Sequence, residues 1–83
     1  MTAMERNEDT AKLSLKYIGR DINDRPVYKD ADSDTLYVDV NPHRGAEPVI
    51  FTKMNNRFDG EPHTMVKDST EFTFTPKRET LLG

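Results

Sequence analysis

From Lys12 to Asn41 polar and apolar residues alternate with a period of two, in runs separated by turn-forming residues. Lys12-Leu13-Ser14-Leu15-Lys16-Tyr17 alternates cleanly, Gly19-Arg20-Asp21-Ile22-Asn23-Asp24 is turn chemistry, and Arg25-Pro26-Val27-Tyr28-Lys29 is extended. A second, acidic turn follows in Asp30-Ala31-Asp32-Ser33-Asp34, and Leu36-Tyr37-Val38-Asp39-Val40 alternates again. Successive side chains of a strand point to opposite faces, so such a pattern predicts strands joined by tight turns in antiparallel hairpins. Leu13, Leu15 and Tyr17 should share a buried face, and Leu36, Val38 and Val40 likewise. Tyr37 and Asp39 then fall on a wetter face. Pro26 cannot donate to a ladder and must stand at a strand start or at an outward-facing edge position.

Beyond Val40 the signals are weaker. Asn41-Pro42-His43-Arg44-Gly45-Ala46-Glu47-Pro48 is a loop, since its prolines and glycine exclude a regular helix. Val49-Ile50-Phe51-Thr52 reads as a short fourth strand, although a run of this length also fits a helical turn. Asn55-Asn56-Arg57-Phe58-Asp59-Gly60-Glu61-Pro62 is a longer loop, with Gly60 expected at positive φ. Glu71-Phe72-Thr73-Phe74-Thr75 alternates strictly and is stopped by Pro76. The expected fold is mainly β: a small antiparallel β-meander over residues 13–40, extended by 49–52 and 71–75, with long loops and loose termini. An α+β fold with one short helix is the alternative. Leu13, Leu15, Leu36, Val38, Phe51, Phe72 and Phe74 are the expected core. Residues 1–11 read as a disordered segment, 12–75 as the domain, and 76–83 as a loose tail from which Leu81 and Leu82 could dock.

The chain has 83 residues, of which 34% are hydrophobic and 33% charged. A core drawn from roughly 60 residues only just offsets chain entropy, so modest stability or help from a partner is expected. There is no cysteine, which excludes disulfides and cysteine zinc sites. No run is long and apolar enough to span a membrane, and no signal-peptide pattern is visible, so a cytoplasmic location is expected. The net charge of −3 argues against nonspecific nucleic-acid binding, which draws its affinity from a basic surface.

Candidate chemistry is sparse. Asp30, Asp32 and Asp34 have the spacing that opens a calcium-binding hand. Thr35 stands where that loop needs its turning glycine, and Asn41 where it needs a bidentate glutamate. The stretch therefore reads as an acidic hairpin turn. His43 and His63 are the only histidines, and neither lies in a metal-binding motif. Ser14, Ser33 and Ser69 sit in no nucleophile elbow, and there is no glycine-rich phosphate loop. No catalytic residue, metal site or cofactor is expected. The loop 55–62 is the best binding candidate, because it gathers Asn55, Asn56, Arg57, Phe58, Asp59 and Glu61 in one turn. Arg20, Asp21 and Asp24 add a second mixed-charge turn. A structural use of the same residues is equally reasonable, with Phe58 plugging the core and Asn55 and Asn56 capping backbone groups.

Taken in order, Leu15-Lys-Tyr-Ile-Gly-Arg-Asp, Arg25-Pro-Val-Tyr-Lys-Asp, Leu36-Tyr-Val-Asp-Val-Asn-Pro and Asn55-Asn-Arg-Phe-Asp-Gly-Glu-Pro resemble a known group. It comprises short uncharacterised proteins, and domains of large polyvalent proteins, carried by phages and conjugative elements of gut bacteria. The resemblance spans about residues 13–66. It brings no catalytic activity, cofactor or assigned site. It implies a setting of bacterial cytoplasm and mobile DNA, and an accessory role toward a host or element protein. Two functions follow as expectations. The first is a small non-enzymatic module that binds a protein partner, not identified by the sequence, through Arg20, Asp21, Asp24, Asn55, Asn56, Arg57, Phe58, Asp59 and Glu61. The second, less favoured, is a nucleic-acid-associated module using Arg20, Arg25, Arg44 and Arg57, with Tyr17, Tyr28 or Tyr37 exposed for stacking. Arginines converging on one face beside an exposed tyrosine would favour the second. Arginines that scatter, or pair with Asp21, Asp24 and Asp59, would favour the first.

Overall fold

The computed structural model describes residues 12–67 and 69–82; the segment 1–11, expected to be disordered, lies outside the described residues. The fold is mainly β. Among the described residues, six strands form one mixed sheet: β1 (Lys12–Arg20), β2 (Pro26–Asp30), β3 (Leu36–Asp39), β4 (Ile50–Lys53), β5 (Pro62–Met65) and β6 (Glu71–Thr75). A single 3-10 turn (Met54–Asn56) follows β4, and a short helix α1 (Arg78–Leu81) closes the described chain. The strand order is β5-β4-β3-β2-β1-β6. From β1 to β5 the chain is an antiparallel meander, as the hairpin pattern requires. β6 returns to the opposite edge and pairs in parallel with β1, Leu13 opposite Phe72 and Leu15 opposite Phe74. Pro26 opens β2, a position where its missing N–H costs little.

Strand β5 has no counterpart in the sequence reading. Pro62-His63-Thr64-Met65 carries no alternation. It becomes a strand because β4 presents an unpaired edge, onto which Met65 pairs opposite Phe51 and Pro62 opposite Lys53. His63 thus lies in a strand, and it is exposed.

Directly paired residues share a face of the sheet, so the register defines two surfaces. The first carries Leu15, Tyr28 and Ile50, all fully buried, with Leu13, Tyr17, Tyr37, Phe72 and Phe74 half-buried around them. Val66, from the connection between β5 and β6, and Leu81 of α1 cover this cluster. The Tyr28 ring lies 6.1 Å from Tyr17 edge-on and 5.1 Å from Phe74, and Phe72 continues the row at 5.8 Å.

Tyr37 pairs with Tyr28, and Asp39 with Ile50, which places both on this core face and corrects the expectation that theirs is the wet side of β3. Leu36 and Val38 face the other way, with Val27 and Phe51. That second face is also covered at its centre, where Val27 and Val38 are fully buried. Of the expected core, Leu15 and Val38 are buried, while Leu13, Leu36, Phe51, Phe72 and Phe74 are half-buried. Both faces are partly covered, and so both alternating sets of β3 find apolar company.

Of the tail 76–83, expected to be loose although Leu81 and Leu82 could dock, the described residues 77–82 are docked. Leu82 is buried, and so is Arg78, whose Nε donates to Asp39 Oδ2 at 2.6 Å. The same guanidinium donates to the carbonyls of Ala46 and Asn41, each at 2.7 Å. Arg20 Nη2 donates to the Leu81 carbonyl at 3.0 Å. A buried carboxylate needs a charge partner. Asp39 takes it from the chain end, some 39 residues away in sequence.

Candidate functional site

The turn between β1 and β2 and the loop between β4 and β5 meet in space, and Asp21 is their hub. Its side chain is fully enclosed and uses both oxygens. Oδ1 accepts the N–H groups of Asn23 (3.0 Å) and Arg25 (2.9 Å), an Asx-type turn whose side-chain bonds add to the backbone bonds from the Asp24 N–H to the Asp21 carbonyl (2.8 Å) and from the Asp21 N–H to the Arg25 carbonyl (3.0 Å). Oδ2 accepts Lys53 Nζ at 2.6 Å and Arg25 Nε at 3.2 Å. Lys53 is equally enclosed and also donates to the Gly60 carbonyl at 3.0 Å. One ammonium at the end of β4 therefore ties the β1–β2 turn to the β4–β5 loop. Burial by itself raises the Asp21 pKa. The Lys53 hydrogen bond, the Arg25 N–H and the charges of Lys53 and Arg25 outweigh it and hold the carboxyl below its ordinary 3.8.

Two glycines let these segments approach. β1 bulges between Tyr17 and Gly19. Gly19 has φ +138°, a conformation closed to L side chains, and a Cβ there would stand 3.2 Å from Phe58 Cζ. Phe58 is accordingly turned inward and half-buried rather than offered to solvent. Gly60 is not at positive φ, contrary to expectation. It is needed because a Cβ would lie 2.5 Å from the Met54 carbonyl oxygen. The left-handed residues of this loop are Asn55 (φ 57°) and Asn56 (φ 53°), a conformation asparagine tolerates better than most.

The remaining candidates divide into pinned and free. Asn56 is structural: its Oδ1 accepts the Leu36 N–H at 2.7 Å and its Nδ2 donates to the Asp34 carbonyl at 2.9 Å, which anchors the loop to the acidic turn. Asp59 Oδ1 accepts the Ile22 N–H at 2.9 Å. Asp21, expected on the binding surface, is buried and structural. Arg20 donates to the Asp24 carbonyl at 3.0 Å and stands 3.8 Å from its carboxylate. Asn55, Arg57 and Glu61 are exposed. Sequence reasoning missed Lys53, hidden at the end of a short apolar run, and Ile22, which is 79% exposed at the tip of the β1–β2 turn. An isoleucine inside a polar turn is the signal that could have marked the latter.

The arginines do not converge as free cations. Arg20 pairs with Asp24, Arg25 with Asp21, Arg44 loosely with Glu79 and Arg78 with Asp39. Among the described residues, Arg57 alone of the arginines has no carboxylate within ion-pair distance. Tyr28 is fully buried and Tyr17 and Tyr37 are half-buried in the core. Burial and the nearby Asp39 carboxylate push the Tyr28 pKa up to about 12, Arg78 opposing.

In the acidic turn, Asp30 spends its oxygens on the turn itself, Oδ1 accepting the Asp32 N–H (3.1 Å) and Oδ2 the Ser33 hydroxyl (3.0 Å). Lys29 pairs with Asp34 at 3.2 Å. Among the described residues no cluster of three histidine, aspartate or glutamate side chains is placed to hold a metal ion. No helix among them is long and apolar enough to cross a membrane. Compared with protein-family models, with curated proteins and with solved structures, the chain has no significant match.

Proposed function

We propose that this chain is a non-enzymatic, cytoplasmic accessory module of a bacterial mobile element, and that it binds a protein partner through the 19–24 turn and the 55–62 loop. The observation that carries the reading is the contrast between a scaffold locked from within and the one arginine left over among the described residues. Asp21, Lys53, Asn56 and Asp59 spend their polar groups on holding the two segments together. Arg57 is exposed on the 55–62 loop, with no ion pair to a described carboxylate, and the same loop's Asp59 holds the exposed Ile22 in place through its N–H. A preorganised surface with an arginine and an apolar anchor suits protein recognition, since little ordering remains to be done on binding. The apolar contact then comes from Ile22, with Phe58 supporting the loop from beneath. A partner would present an apolar recess beside a carboxylate. The nucleic-acid reading has less support, because Arg20 and Arg25 are already neutralised and the tyrosines are occupied in the core.

The test compares capture of cellular partners by the wild type and by Arg57→Ala, with circular dichroism as folding control. Loss of an exposed interface arginine should weaken capture by about 1–2 kcal/mol while the spectrum is unchanged. Equal capture by both proteins removes the loop from the binding surface.

A further inference from the structure

We propose that the outer edge of β6 is a self-association site, at which a second copy of this chain adds its own β6 antiparallel and joins two sheets into one. An open sheet has two edges, and each is a template for another strand unless something blunts it. Here the edges are β5 and β6. β5 is blunted twice: it begins with Pro62, which has no N–H to offer, and its register with β4 slips between Phe51 and Lys53. β6 carries neither device. Glu71-Phe72-Thr73-Phe74-Thr75 contains no proline and no lysine, and its register with β1 runs without a break from Glu71 to Thr75. Among the described residues no strand pairs with its other side.

The strand is also complementary to itself. Antiparallel partners must share a face, so a two-fold axis can pass only through a residue paired with its own copy. An axis through Thr73 pairs the whole strand: Thr73 with Thr73, Phe72 with the second copy's Phe74, and Glu71 with the second copy's Thr75. Axes through Phe72 or Phe74 pair less of it. In the Thr73 register no like charges meet, aromatic faces aromatic, and threonine faces threonine, the pairings that stabilise antiparallel ladders. Phe72 and Phe74 are only half-buried in the single chain, and they end the aromatic row that starts at Tyr17. The second copy continues that row and covers both rings. Glu71, Thr73 and Thr75 are exposed, so substitutions there leave the core intact.

Sedimentation equilibrium over a concentration series tests the proposal. The wild type should pass from monomer to dimer as concentration rises. Thr73→Lys sets two ammonium groups opposite each other on the axis and should keep the protein monomeric, with its circular dichroism unaltered. Thr75→Glu places a carboxylate opposite Glu71 twice per dimer and should raise the dissociation constant roughly fivefold; Thr75→Lys should lower it by about the same factor at low salt. The opposite signs at Thr75 carry the test even if Thr73→Lys does not fold. A wild type that stays monomeric into the millimolar range overturns the proposal. So does a dimer whose strength is the same in both Thr75 variants, because that dimer uses another surface.

Discussion

The buried pair Asp21–Lys53 should dominate the stability of the 19–24 and 55–62 surface, and a double-mutant cycle measures how much. Asp21 accepts from Asn23, Arg25 twice, and Lys53. Asp21→Ala removes all of these and leaves an enclosed ammonium with only the Gly60 carbonyl. Breaking one side of a buried pair typically costs about 3–5 kcal/mol. A domain this small has a total stability near the lower end of about 5–15 kcal/mol. At a urea slope of about 1 kcal/mol/M, the midpoint should fall by roughly 3 M or more, to the edge of folding. Lys53→Met is milder, about 1–3 kcal/mol, because Arg25 and the turn amides still satisfy the carboxylate. Asp21→Asn keeps the acceptor for those amides but can turn its own N–H groups toward Lys53. Combined with Lys53→Met that conflict disappears, so the double mutant should cost about 1–3 kcal/mol less than the sum of the singles. The chain has no tryptophan, so far-ultraviolet circular dichroism is the probe. Additivity within about 0.5 kcal/mol would refute the coupling. The acid side offers a second reading of the same pair. The Asp21 pKa is depressed in the folded state, so its contribution is present above the unfolded value near 3.8 and is lost as pH falls through the lower folded value.

Gly19→Ala should destabilise by about 1–3 kcal/mol, since alanine cannot relax at φ +138° and its methyl meets Phe58; an unchanged urea midpoint would show that the bulge gives way instead. Tyr28 should stay protonated past pH 10 when the folded protein is titrated by ultraviolet absorbance, ionising near 12. Its raised folded pKa stabilises the protein below pH 10, and that contribution fades between 10 and about 12, so unfolding should grow easier across this window. A tyrosine population titrating wholly near 10 in the folded state would contradict the burial of that ring.

Strand existence was legible where alternation was strong. The runs around Leu15, Val38 and Phe74 became β1, β3 and β6, and the turn chemistry at Asp21 and Asp30 closed the hairpins between β1, β2 and β3. Composition alone puts the 19–24 turn and the 55–62 loop on one binding surface, and it names no contact that joins them. Contact between them depends on Lys53 reaching Asp21 across 32 residues, and no local pattern encodes that. β5 was illegible because its four residues have no preference that outweighs their context.

A period of two sorts the residues of a strand into two sets, and that much is local steric chemistry. Which set faces the main core is not local. In β3 the more apolar set, Leu36 and Val38, lies opposite the face of Leu15 and Tyr28, while Tyr37 and Asp39 share it. Asp39 can sit in the interior only because Arg78 arrives from the chain end to neutralise it, and that arrival requires the whole sheet to be in place. Propensity and alternation act between neighbours in sequence, and these settled the tight turns and the strands other than β5. Desolvated charges are satisfied between neighbours in space, so the facing of the strands, the docking of α1 and the clasp at Asp21 were decided by the tertiary structure.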